Sequence, residues 1–101
     1  MKVSRFKDAS GKDIKEMDIV DYEGESYQFG LVVYDKAKDS WCVYEIPTRD
    51  LITNEVMWPN IKYRYLNEEL LSKVYVIGNI FNRRELLNGL TPEMIIMAKE
   101  R

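Results

Sequence analysis

A β-rich α+β domain is what this sequence predicts, folded as a small barrel or a bent antiparallel sheet with short helices at its C-terminal end. Three observations carry the prediction. Apolar runs between residues 18 and 46 are short and separated by polar turns, the pattern of an antiparallel meander. The helices are read after residue 66, behind the strands, at Asn67-Glu68-Glu69, Asn82 and Thr91-Pro92-Glu93. Aromatics are 12% of the chain, seven of them Tyr, a residue at home in strands.

The elements follow in order. KDASGKD, residues 7–13, reads as a turn around Ser10-Gly11. DIVDYE, residues 18–23, is a first strand, closed by a hairpin turn at Glu23-Gly24-Glu25. SYQFGLVVY, residues 26–34, is a second strand, in which Gly30 marks a bulge or a close backbone approach. After the polar loop 35–40 comes a third, WCVYEI, residues 41–46, stopped by Pro47. Residues 47–60 mix cap residues with strand-type apolar spacing and read as irregular.

IKYRYL, residues 61–66, alternates cleanly. Ile61, Tyr63 and Tyr65 take one side, and Lys62, Arg64 and Leu66 take the other, which reads as a basic outer face. Asn67-Glu68-Glu69 opens a helical turn over 68–72. VYVIGNIF, residues 74–81, is apolar on both parities and reads as a central strand, with the meander on one face and the terminal helices on the other. Asn82, with Glu85 three residues on, caps a short helix ended by Gly89. Thr91-Pro92-Glu93 starts a last helix that runs to about Lys99. Short strands in a meander commonly curl, and an SH3-like barrel is the leading expectation.

Composition excludes more than it assigns. The chain has 101 residues, one domain's worth, and a core of modest size. Fifteen Lys and Arg against seventeen Asp and Glu leave a formal charge of −2, without the basic excess that phosphate-backbone binding demands. There is no His, which removes the commonest general base and zinc ligand. Cys42 is the lone cysteine and has no imidazole to activate it; beside Trp41 and Val43 it reads as a buried, inert hydrophobe in a reducing cytosol. MKVSRFKDAS contains no signal-peptide core, and no stretch nears the ~18 apolar residues of a membrane span. The acids Asp13, Glu16, Asp18, Glu68 and Glu69 fall on turns and caps, where they read as structural. No phosphate-cradling glycine loop and no metal-ligand spacing is present, so no catalytic, cofactor or metal residue is assigned.

Two segments together resemble a known family. KDASGKDIKEMDIV, residues 7–20, is similar to the opening motif of the YopX family of small phage and prophage proteins, roughly K-D-x-x-G-x-x-I-x-x-G-D-I-V. Lys7, Asp8, Gly11, Ile14, Asp18, Ile19 and Val20 match it; Met17 stands where the family has Gly. VIGNIFNRRELL, residues 76–87, resembles the closing motif V-I-G-N-I-Y-E-N-P-E-L-L, with Phe81 in the Tyr position and Arg83-Arg84 in place of Asn-Pro. The resemblance implies a single β-rich domain of phage or prophage origin, with residues 88–101 a helical extension beyond the second motif. It brings no catalytic residues and no cofactor.

Two surfaces remain as candidates. Trp58, Lys62, Arg64, Arg83 and Arg84, with Tyr63 and Tyr65 nearby, combine stacking rings with cations and could serve as a nucleic-acid face. Met94, Ile95, Ile96 and Met97 are four large apolar side chains in a row, wider than one core-facing stripe, which points to a homo-oligomer. The expected role is a non-enzymatic accessory protein of the host cytoplasm that modulates a host system by protein binding, with nucleic-acid binding as the alternative.

Overall fold

The structure, a computed structural model, describes residues 3–22, 29–58 and 63–99. The expected turn at 23–25, the start of the expected 26–34 strand, and Ile61 and Lys62 lie outside the described residues. In chain order the elements are β1 (Val3–Lys7), β2 (Asp13–Lys15), β3 (Asp18–Tyr22), β4 (Phe29–Asp35), β5 (Ser40–Glu45), β6 (Thr48–Arg49), β7 (Val56–Met57) and β8 (Tyr63–Tyr65). Then follow α1 (Glu68–Leu71), β9 (Val74–Asn79), a single 3-10 turn (Arg84–Leu86) and α2 (Pro92–Lys99).

Five strands form one antiparallel sheet in the order β8-β5-β4-β3-β9; β1-β2 and β6-β7 are separate two-stranded ribbons. The meander expected over 18–46 is therefore present as β3, β4 and β5. The fold is small, strand-rich α+β, and no closed barrel exists among the described residues. Among them, too, no helix is long and apolar enough to cross a membrane.

Alternation along the strands gives the sheet two apolar faces. On the first, Ile19, Leu31 and Val33 pack with Met17, Ile80, Leu87, Leu90 and Ile95, so the C-terminal segment and the β6-β7 ribbon cover this side. On the second, Val20, Val32, Val43 and Val74 are covered by Ile14 of the β1-β2 ribbon and by Leu66 and Leu70 around α1. Residues 88–99 are thus part of the core rather than an appendage: Ile95 is fully buried. Cys42 is buried on β5 as expected, and burial pushes its thiol up. Gly30 marks a close approach, since a Cβ there would lie 2.6 Å from the Tyr22 hydroxyl.

The two motif segments meet. Asp8, 6% exposed, is the junction. Its Oδ1 accepts from the Ser10 amide (2.9 Å), the Ser10 hydroxyl (2.8 Å) and the Lys12 amide (2.8 Å), while its Oδ2 accepts from the Val76 amide of β9 (2.8 Å). The Ala9 amide also donates to the Val74 carbonyl at 2.9 Å. Burial pushes the Asp8 carboxyl up, but the bonds from Val76, Lys12 and Ser10 outweigh it and hold the acid below its ordinary range. Asp18 accepts from the Lys15 amide at 2.8 Å across the β2-β3 turn, yet burial leaves its carboxyl raised. At that turn Met17 takes φ 70°, donates to the Val32 carbonyl (2.8 Å) and accepts from the Ile80 amide (3.2 Å).

Four expectations need correction. β9 is an edge strand, not a central one: among the described residues only β3 pairs with it, and the Asp8 turn takes up polar groups on its open side. Residues 47–60 are not irregular throughout, because Thr48↔Met57 and Arg49↔Val56 pair in the β6-β7 ribbon. Asn82 does not cap a helix. Its side chain accepts from the Asn79 amide (2.8 Å), while the Asn79 side chain accepts from the Phe81 (2.9 Å) and Asn82 (3.0 Å) amides, so the two asparagines close the turn after β9. Finally, the two sides of the 61–66 strand do not divide as expected: Arg64 is exposed as expected, but so is Tyr65, while Leu66, of Arg64's parity, is buried, and Arg64 pairs with Val43 at the edge of the second face.

The expected helices at 68–72 and 91–99 are otherwise where their caps put them. Asn67 accepts from the Leu70 amide at 2.9 Å, and the Thr91 hydroxyl accepts from the Met94 amide at 3.2 Å.

Candidate functional site: an aromatic cleft on the first face

The β4-β5 loop is a tight polar turn built on Asp35. Its carboxylate accepts from the Ala37 (3.0 Å) and Lys38 (3.3 Å) amides, from Lys38 Nζ (2.9 Å) and from the Tyr44 hydroxyl (2.7 Å). Beside this turn, Tyr44 of β5 meets Trp58, just past β7, edge to face with centroids 5.8 Å apart. The end of α2 closes the third side. There Lys99 is ion-paired to Glu16 of the β2-β3 turn, and Glu16 also accepts from the Tyr34 amide at 3.2 Å. Between these parts lies a cleft of about 830 Å³, lined by Val33, Tyr44 and Trp58, by Ala98 and Lys99, and by Glu16 and residues 34–37.

Two of its titratable groups, Asp35 and Tyr44, are held far from neutrality. Lys38 and then Tyr44 hold the Asp35 carboxyl down to about 2. Burial, then the Asp35 carboxylate, pushes the Tyr44 hydroxyl up to about 12. A general acid or base works best with a pKa near the working pH, and this pair is displaced from it in both directions. What the cleft offers is shape: an aromatic wall, a small apolar floor and a charged rim, the composition of a recognition surface.

The structure does not gather the sequence-predicted set into one patch. Trp58 is half-buried and lines the cleft on the first face. Arg64 is on the second face at the β8 edge, its guanidinium 4.9 Å from the Tyr22 ring centroid. Lys62 lies outside the described residues. Arg83 and Arg84 sit beyond β9, at the opposite sheet edge from β8 and about 19 Å away along the sheet at the usual strand spacing.

Arg83 serves the fold. Between Val20↔Val76 and Ile19↔Gly78 the pairing register gains one residue, Ile77, whose carbonyl accepts from Arg83 Nη1 at 3.0 Å. The same side chain passes over Gly78 and pairs with Glu85 at 2.5 Å. Arg84 is exposed and donates to the Phe81 carbonyl at 3.3 Å.

Of the expected oligomer face, Ile95 is buried in its own chain and is corrected out of it; Met94 and Ile96 are half-buried and Met97 is 62% exposed. Glu16, Asp35, Lys36, Tyr44, Ala98 and Lys99 were not foreseen as a site. Only the lone Trp58 signalled it, because the other residues come from distant turns. Among the described residues no group of three or more Cys, Asp or Glu side chains could hold a metal ion. No family model matches this chain, and no curated protein is found to be similar to it.

Proposed function

We propose that this chain is a non-catalytic accessory protein of phage or prophage origin that acts in the host cytoplasm by binding a host protein through the Trp58–Tyr44 cleft. The cleft is the observation that carries the reading: an aromatic corner 5.8 Å between centroids, beside groups whose protonation is fixed across the neutral range. A net charge of −2 suits approach to a basic protein surface better than to a phosphate backbone. The YopX resemblance is supported by the docking of its two motifs through Asp8 and Val76. The SH3-like reading draws on the last strand, β9, returning beside the first strand of the meander. Self-association draws on Met97, exposed at the end of α2.

Affinity capture from host cells with the wild type, Trp58→Ala and Lys36→Glu tests the reading. A protein retained by the wild type and lost with both variants, at unchanged fold by circular dichroism, supports it. Equal retention by all three overturns it, and salt-sensitive capture of DNA or RNA alone favours the nucleic-acid alternative.

A further inference from the structure

We propose that the tip of the β6-β7 ribbon docks into the cleft of a second copy of this chain, reciprocally, across a two-fold axis. This rests on the reading of the cleft as a protein-binding surface and names one occupant for it.

The tip is built to present two side chains. The Asp50 amide donates to the Glu55 carbonyl at 2.9 Å, and the Asp50 carbonyl accepts from the Asn54 amide at 2.8 Å. The Asp50 carboxylate accepts from the Ile52 (2.8 Å) and Thr53 (3.3 Å) amides, and Arg49 is bonded to the Asn54 side chain. Those bonds fix the turn and leave Leu51 and Ile52 outward, each 94% exposed. Large apolar side chains on a fixed turn lose little further freedom when they are covered, which is how an interface anchor differs from a loose loop. Their own cleft does not receive them: Trp58 stands at the base of the ribbon, Leu51 and Ile52 at its far end, and their exposure shows them uncovered.

The two surfaces carry complementary charges. Within the cleft, Glu16 is paired with Lys99 and Asp35 with Lys38. Lys36 on the cleft rim and Glu55 on the tip make no side-chain hydrogen bond or ion pair among the described residues. One cation is left over beside an aromatic wall, and one anion beside an aliphatic pair. A two-fold axis sets tip against cleft twice, so that both surfaces of each copy are used and the assembly closes. A bilayer is a poorer match, because the charged side chains of the turn itself, Asp50 and Glu55, are acidic.

Sedimentation equilibrium of the full chain tests this with four proteins: wild type, Leu51→Asp/Ile52→Asp, Lys36→Glu, and Lys36→Glu/Glu55→Lys. The wild type is expected to be a dimer. The tip variant, altered only at fully exposed positions, should dissociate at least about tenfold more readily with its melting unchanged. Lys36→Glu should weaken the dimer, and the charge swap should restore it. A dimer equally tight in the tip variant, or a swap that restores nothing, overturns tip-to-cleft docking and leaves the host-binding reading standing. A monomeric wild type overturns self-docking outright, whereas the host-binding reading fails only in the capture experiment.

Discussion

Replacing Asp8 by Asn keeps the shape of the side chain and changes one atom in a way the structure makes costly. Both carboxylate oxygens are engaged: Oδ1 by Ser10 and Lys12, Oδ2 by the Val76 amide. An amide has one acceptor. Turned to keep Oδ1 with its two backbone donors, it points its NH₂ at the Val76 N–H, donor against donor. Turned the other way, it loses Ser10 and Lys12 instead, which is worse. A hydrogen bond to a charged group is worth about 1.5–3 kcal/mol, and an unsatisfied buried N–H costs about 1–3 kcal/mol. These overlap, so Asp8→Asn should lose about 2–4 kcal/mol, which for a domain of this size lowers Tm by roughly 10–25 °C.

The acid side of the stability curve carries a second signature. Asp8 is depressed in the fold, so its contribution is complete above the unfolded value of 3.8 and is lost as pH falls through the folded value. The variant should lack that acid loss. Asp18 is raised, so its protonation favours the fold as pH falls, and the wild-type minus variant difference cancels it. Urea melts from pH 2 to pH 7, with hydrogen exchange at the Val76 amide, read both effects. A variant within about 0.5 kcal/mol of wild type, or a Val76 amide equally protected, refutes the role given to Asp8.

Three further perturbations bear on the same frame. Gly78→Val puts a side chain onto Arg83 and 2.7 Å from the Asn82 side-chain oxygen Oδ1 at φ 153°, and should cost at least about 2 kcal/mol; an unchanged melting midpoint would show that the turn gives way freely. Met17→Gly relieves a left-handed residue, worth about 1–2 kcal/mol, but removes a side chain only 2% exposed, worth about 2–5 kcal/mol. Packing wins, and the variant should be less stable although the YopX motif it resembles has Gly there; a stabilised variant contradicts this. Tyr44→Phe removes the hydroxyl pushed up to about 12, so spectrophotometric titration should lose a phase there, and the Asp35 carboxyl should rise from about 2; titrations that superimpose would sink the assignment.

The meander was legible because its apolar runs and polar turns are local, and both α1 and α2 were legible from Asn67 and from Thr91-Pro92. β9 was misplaced because apolar residues on both parities report covered faces and say nothing of edges. Its open edge is sealed by Asp8, 68 residues away. Alternation at 61–66 was visible, but which parity faces inward was settled by the pairing of Arg64 with Val43. The β6-β7 ribbon hides for another reason: DLITNE carries no glycine, and its turn depends on Asp50 and on Asn54 at φ 63°. The cleft was illegible apart from Trp58, since its walls come from residues 16, 34–37, 44, 58 and 98–99.

Hydrogen exchange on the complex with the captured host protein tests the central claim most directly. It is best run on the Leu51→Asp/Ile52→Asp chain, whose cleft is free of a second copy's tip. Binding through the cleft predicts slowed exchange at the amides of residues 35–37, beside the Tyr44–Trp58 wall, with the amides around Arg84 and Arg64 unchanged. Slowing confined to the Arg84 or Arg64 regions, with residues 35–37 exchanging as in the free protein, would contradict the account.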